Sequence, residues 1–218
     1  RDRFNPAKSA FCKPGLLALF FLGYLIDNLL LTLTNHLPAL QINPNHIWEG
    51  FLVCGCSGMI TSVIAVIGLI FLCRPILTKE DVGVTLRQKS GSLFPEIIIV
   101  LALTTWATYV GIHSPRGELD YNALLTLAVM PGLSEELVYR GYLMAILNKI
   151  TPSRFMLFGA PIGWGALITL LLFGLLHGIW FDGNLCLQFN WIALRNATIS
   201  GFVYAWLRER TGSLCAPI

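Results

Sequence analysis

Six stretches of this sequence run for about twenty residues or more with few charges, and nothing else in it limits the possible folds so strongly. A helix rising about 1.5 Å per residue needs about twenty apolar residues to cross some 30 Å of hydrocarbon. The stretches are residues 15–33, 50–73, 94–112, 121–150, 155–180 and 189–207, and another begins near Leu214. Runs such as LLALFFLGYLI lack the two-residue alternation of a membrane barrel strand. Composition agrees, with 12% charged and 55% hydrophobic residues among 218 and a mean hydropathy of +0.68, where soluble domains carry about 25% charged residues. The expected fold is all-α: a polytopic integral membrane helical bundle, one membrane-embedded domain over residues 1–218. It would have at least six transmembrane helices and the start of a truncated seventh. A disordered chain is excluded, and so is a nucleic-acid binder, because a net charge of +3 supplies no basic stripe.

Lysine and arginine accumulate on the cytoplasmic side of short membrane loops. With the N-terminus in the cytoplasm, Arg1, Arg3, Lys8, Lys13, Arg74, Lys79, Arg87, Lys89, Lys149, Arg154, Arg208 and Arg210 fall inside and only Arg116 outside. Arg140 and Arg195 fall within expected spans. Short loops suit a bacterial inner (plasma) membrane, and lipid is an expected partner. The cysteines at 12, 54, 56, 73, 186 and 215 lie in or beside apolar runs and read as small buried residues rather than a disulfide framework.

An ionisable side chain in hydrocarbon costs about 2.5 kcal/mol or more, so each one must be paired, solvated or used. The fourth stretch carries three, in Pro131-Gly132-Leu133-Ser134-Glu135-Glu136-Leu137-Val138-Tyr139-Arg140. Ser134 is placed to cap a new helix after the Pro-Gly break. Glu136 and Arg140 stand four apart and share a face as an ion pair. Glu135, turned by about 100°, is left free to act as a general base or acid. In the fifth stretch Phe173 precedes His177 by one turn and can wedge its imidazole. Counting about 1.5 Å per residue from the inner ends puts Glu135, His177 and Arg195 at similar depth, nearer the outer face.

The spacing EExxxR (Glu135, Glu136, Arg140) followed by FxxxH (Phe173, His177) resembles the CPBP family of intramembrane proteases, often called Abi. That family includes the CAAX prenyl endopeptidases and bacteriocin-processing enzymes. The resemblance covers roughly residues 124–218, including a tail, residues 206–218, similar to the family's lead into its last core helix. It implies a glutamic-type endopeptidase in which Glu135 and His177 activate a water that attacks a peptide carbonyl, braced by Glu136, Arg140 and Phe173. The family's HxxxN motif, which stabilises the oxyanion, would follow residue 218, so the core is expected to be C-terminally incomplete. The substrate would be a membrane-associated or exported peptide or protein. No cofactor is expected; there is no HExxH, and zinc, if bound, would fall to Glu135 and His177.

Other readings stay open. Gly55-Cys56-Ser57-Gly58 matches the GxSG of a rhomboid serine protease, with Ser57 as nucleophile and His177 as base. A small transporter or scaffold with a polar cavity would use the same charged residues without chemistry. Asp27 marks either a cavity wall or a span end, and Arg195 either faces the cavity or snorkels outward. The sequon Asn196-Ala197-Thr198 lies inside an expected span and reads as chance.

Overall fold

A computed structural model describes residues 6–36, 56–74, 76–89, 94–113, 132–181 and 186–217. Helix α1 is Pro6–His36, α2 Cys56–Leu72, α3 Lys79–Val82 and α4 Phe94–His113. Residues 132–135 are α-helical and run into a π-helical segment, Glu136–Leu143, which continues as α5, Met144–Ile150. A hairpin of β1 (Arg154–Leu157) and β2 (Ala160–Gly163) leads into α6, Trp164–Gly178. A second hairpin of β3 (Ile179–Phe181) and β4 (Leu187–Phe189) leads into α7, Trp191–Thr211. Both hairpins are antiparallel, with Arg154 opposite Gly163 in the first and Ile179 opposite Phe189 in the second.

Most of the helices overlap the apolar stretches, yet among the described residues no helix is long and apolar enough to cross a membrane. The expected polytopic membrane bundle is therefore corrected, and the all-α reading becomes a mostly helical fold with two small hairpins. The reasons are local. In α2 the 17 helical residues reach only about 25 Å. The fifth stretch spends residues 155–163 largely on the first hairpin, where Gly159 turns at φ 81°, leaving 15 residues for α6. In α7 the apolar residues are diluted by Arg195, Asn196, Thr198, Ser200 and Arg208. The π-helical segment buries Glu136 and Arg140. Ser134 is no cap, since helical geometry already covers residues 132–135, and residues 212–217 form bends and turns where another helix was expected to begin.

One buried cluster joins Leu16 and Phe20 of α1, Val66 and Leu69 of α2, and Tyr142, Leu143 and Ile146 of the central segment, reaching Phe173 of α6. A second joins Ala160 and Ile162 of β2 to Ala166 of α6 and to Ala205, Trp206 and Leu207 of α7. Helices α6 and α7 pack along one another, and α1 packs on α2. The central segment lies between these pairs, which sets residues 134–140 against α1 and α2 on one side and α6 on the other.

At the far end of that segment, Thr78 caps α3 in a reciprocal box with Asp81, and Gly83 closes the helix at φ 82°. Lys149 of α5 reaches Asp81 at 2.7 Å. Arg208 of α7 donates to the Asp81 carbonyl at 2.6 Å. Burial works against ionisation of Asp81, but the Lys149 ammonium and the two Thr78 hydrogen bonds outweigh it and hold its carboxyl below the usual range.

Candidate active site

The helical turn at residues 132–135 gives way to π geometry at Glu136, so backbone N–H groups there reach five residues back. Neighbouring carboxylates then part company. Glu136 points into the protein and meets Arg140 at 3.0 Å, both side chains at most 2% exposed. The Arg140 guanidinium lies 4.1 Å from the centre of the Phe173 ring, a cation–π contact that strengthens where water is excluded. Room for it comes from Gly201 of α7, where a Cβ would sit 2.9 Å from Arg140 Nη2 and 3.1 Å from Phe173 Cδ1. Glu136 Oε2 and both Arg140 Nη atoms lack an aligned hydrogen bond among the described residues, so charge attraction and packing hold this pair.

Glu135 faces the other way, onto a cavity of about 240 Å³. Asp27 and Asn28 of α1, Met59 and Ser62 of α2, Ser134, Glu135 and Tyr139 of the central segment, and Leu176 and His177 of α6 form its wall. His177 Nε2 lies 3.8 Å from Glu135 Oε1, with the side chains 40% and 31% exposed. His177 Nδ1 is 2.8 Å from the Phe173 carbonyl. A proton on Nδ1 satisfies that carbonyl and turns the Nε2 lone pair toward Glu135. Phe173 also packs on the imidazole, ring centres 4.3 Å apart. Across the cavity the Ser62 hydroxyl donates to Asp27, and both residues are buried.

The sequence-expected residues thus fall into two groups. Glu135 and His177 meet on the cavity, while Glu136, Arg140 and Phe173 form the buried layer behind it. Asp27 is a cavity wall. Arg195 does not join them: it is exposed and its guanidinium bonds the Asn196 side chain at 3.1 and 3.2 Å. Ser57 lies in the first turn of α2, and its side chain lies outside the described residues. Sequence reasoning missed Ser62, Met59, Asn28 and Tyr139. Ser62 gave only the weak signal of a hydroxyl in an apolar run, and Tyr139 sits at a variable position of EExxxR.

A catalytic zinc site takes three protein ligands. Among the described residues no group of three or more His, Cys, Asp or Glu is arranged to hold a metal.

The family model for type II CAAX prenyl endopeptidase, Rce1-like, matches residues 118–218, just under half of the chain. No curated protein and no solved structure matches the chain. The matched segment contains both halves of the acid and imidazole couple and the layer that braces them, whereas the Asp27 and Ser62 wall lies outside it. Over residues 118–218, therefore, the chain is similar to the Rce1-like type II CAAX prenyl endopeptidases.

Proposed function

We propose that this protein is an endopeptidase that hydrolyses a peptide bond of a membrane-associated or exported substrate, with Glu135 as general base and His177 as the group that orients the water. The observation that carries the reading is the 3.8 Å between Glu135 Oε1 and His177 Nε2 on an open cavity. That is too long for a direct hydrogen bond, which spans about 2.7–3.2 Å, and short enough for one water to donate to both atoms. Its oxygen lone pair is then free to attack a carbonyl carbon while Glu135 takes the proton. The Phe173 carbonyl fixes the imidazole tautomer, and Arg140 and Glu136 fix Phe173.

The mechanism as proposed needs no metal or cofactor, since carboxylate and imidazole account for activation of the water. Membrane lipid and a peptide or protein substrate are the partners we propose. A membrane is the proposed location, supported by the similarity of residues 118–218 to the Rce1-like CAAX prenyl endopeptidases, which are membrane proteins.

Cleavage of a quenched-fluorophore peptide bearing a membrane anchor tests the reading. Glu135→Gln and His177→Ala should each abolish turnover while the protein still accumulates folded, and Ser57→Ala should leave the rate unchanged. The reverse pattern would transfer the chemistry to Ser57 and a serine mechanism.

A further inference from the structure

Peptide hydrolysis by an activated water creates two needs, removal of a proton and a home for charge on the carbonyl oxygen. Glu135 meets the first, and His177 is occupied in holding the water. Charge on the oxygen calls for a donor fixed in place before the reaction begins.

Around the cavity most other polar groups are already committed. Ser62 donates to Asp27. The Asn28 amide donates to the Tyr24 carbonyl at 2.8 Å, and Ser134 is likewise engaged. Tyr139 differs. Its ring is only 5% exposed and lies edge-on to Phe173, ring centres 5.3 Å apart, so the ring that touches His177 also holds Tyr139. It lines the cavity with Glu135 and His177, and among the described residues no hydrogen bond from its hydroxyl is seen. Three residues on, the Tyr142 hydroxyl is by contrast spent on the Leu19 carbonyl at 3.0 Å. A phenol, with an ordinary pKa of about 10, is a neutral donor across the physiological range. A hydroxyl on the cavity with no acceptor among the described residues is open to a hydrogen bond with water or substrate.

We propose that the Tyr139 hydroxyl is a further catalytic group, donating a hydrogen bond to the scissile carbonyl oxygen as it becomes an oxyanion. The inference rests on the peptidase reading and deepens it. The water oxygen bonds to the carbonyl carbon, its proton passes to Glu135, and the C=O π pair moves onto the oxygen facing Tyr139. Collapse restores the C=O bond and breaks the C–N bond, and the departing amine takes the proton from Glu135. Tyr139 keeps its own proton throughout.

Tyr139→Phe removes one oxygen and preserves the ring and its packing on Phe173. With the full chain and the same anchored fluorogenic peptide, kcat should fall about 100- to 1,000-fold. KM should stay within about twofold, with an unaltered pH profile and unfolding midpoint. Tyr142→Phe should do the opposite, lowering the unfolding midpoint and leaving kcat in place. A Tyr139→Phe protein that turns over within about threefold of the parent overturns the inference alone. So does one whose loss follows its loss of folded protein. A parent chain that cleaves nothing overturns the peptidase reading and this inference with it.

Discussion

The layer around Glu136 and Arg140 and the cavity around Glu135 and His177 begin one residue apart, yet they obey different physics. In the first, a carboxylate and a guanidinium at most 2% exposed are pressed together beside an aromatic ring. In the second, a carboxylate and an imidazole, 31% and 40% exposed, stand slightly too far apart to bond. A buried pair is fixed because each partner is costly alone, whereas a half-open pair can exchange protons with water. The contrast separates a dry ion pair from a water-accessible couple within a few residues, and it can be attacked from either side.

The largest effect should come from the dry layer. Arg140→Ala leaves Glu136 buried without its counter-charge and should cost about 3–5 kcal/mol in denaturant unfolding. The double change Glu136→Ala with Arg140→Ala should cost less than the sum of the two singles, because neither orphaned charge remains. Additive losses would mean that the pair is not coupled and would erase the distinction drawn here. Glu135→Gln, on the cavity side, should move the unfolding midpoint little while removing activity.

A smaller effect is expected at Gly201. An added Cβ crowds Arg140 and Phe173, and overpacking of this kind costs about 1–3 kcal/mol, offset by about 1 kcal/mol of helix propensity. Gly201→Ala should therefore destabilise by about 1 kcal/mol and lower kcat, since a shifted Phe173 carries His177 with it. Unchanged kcat would show that the brace does not reach the imidazole.

The smallest effect belongs to the partly exposed pair at the other end of the central segment. Asp81 has a folded pKa below its unfolded value of about 3.9. Its stabilising contribution is thus fully present above that value and is lost as pH falls through the folded pKa. Asp81→Asn should cost roughly 1 kcal/mol near neutrality, in line with a screened pair and a cap. The difference from the parent should vanish in acid, and a gap that persists below pH about 2 would assign the effect to packing.

The couple at the centre of the cavity was legible in the sequence because its determinants are short-range. Four-residue spacings fix which side chains share a helix face, and Phe173 and His177 meet as a single turn requires. Asp27 could be flagged as an uncharacteristic charge, but its partner Ser62 lies 35 residues away and carries no local signature. The transmembrane reading failed where counting apolar residues took no account of where a helix begins. Within the fifth stretch, Pro161 suits a helix start or a kink, yet it pairs with Met156 in a hairpin and α6 opens only at Trp164. Glu135 and His177 meet on the cavity, whereas Arg195 is exposed and bonds Asn196, the outward alternative that the sequence left open, because rise per residue gives height and says nothing of direction around the axis.

The Ser62 to Asp27 hydrogen bond joins α1 to α2 on the face opposite His177, in a part of the chain that the family match does not reach. The cavity is in this sense assembled from two sources: the recognisable segment supplies Glu135 and His177, and the amino-terminal helices supply Asp27 and Ser62. On the peptidase reading proposed above, grafting a different amino-terminal half onto residues 118–218 should change which peptides are accepted while Glu135 and His177 are left as they are.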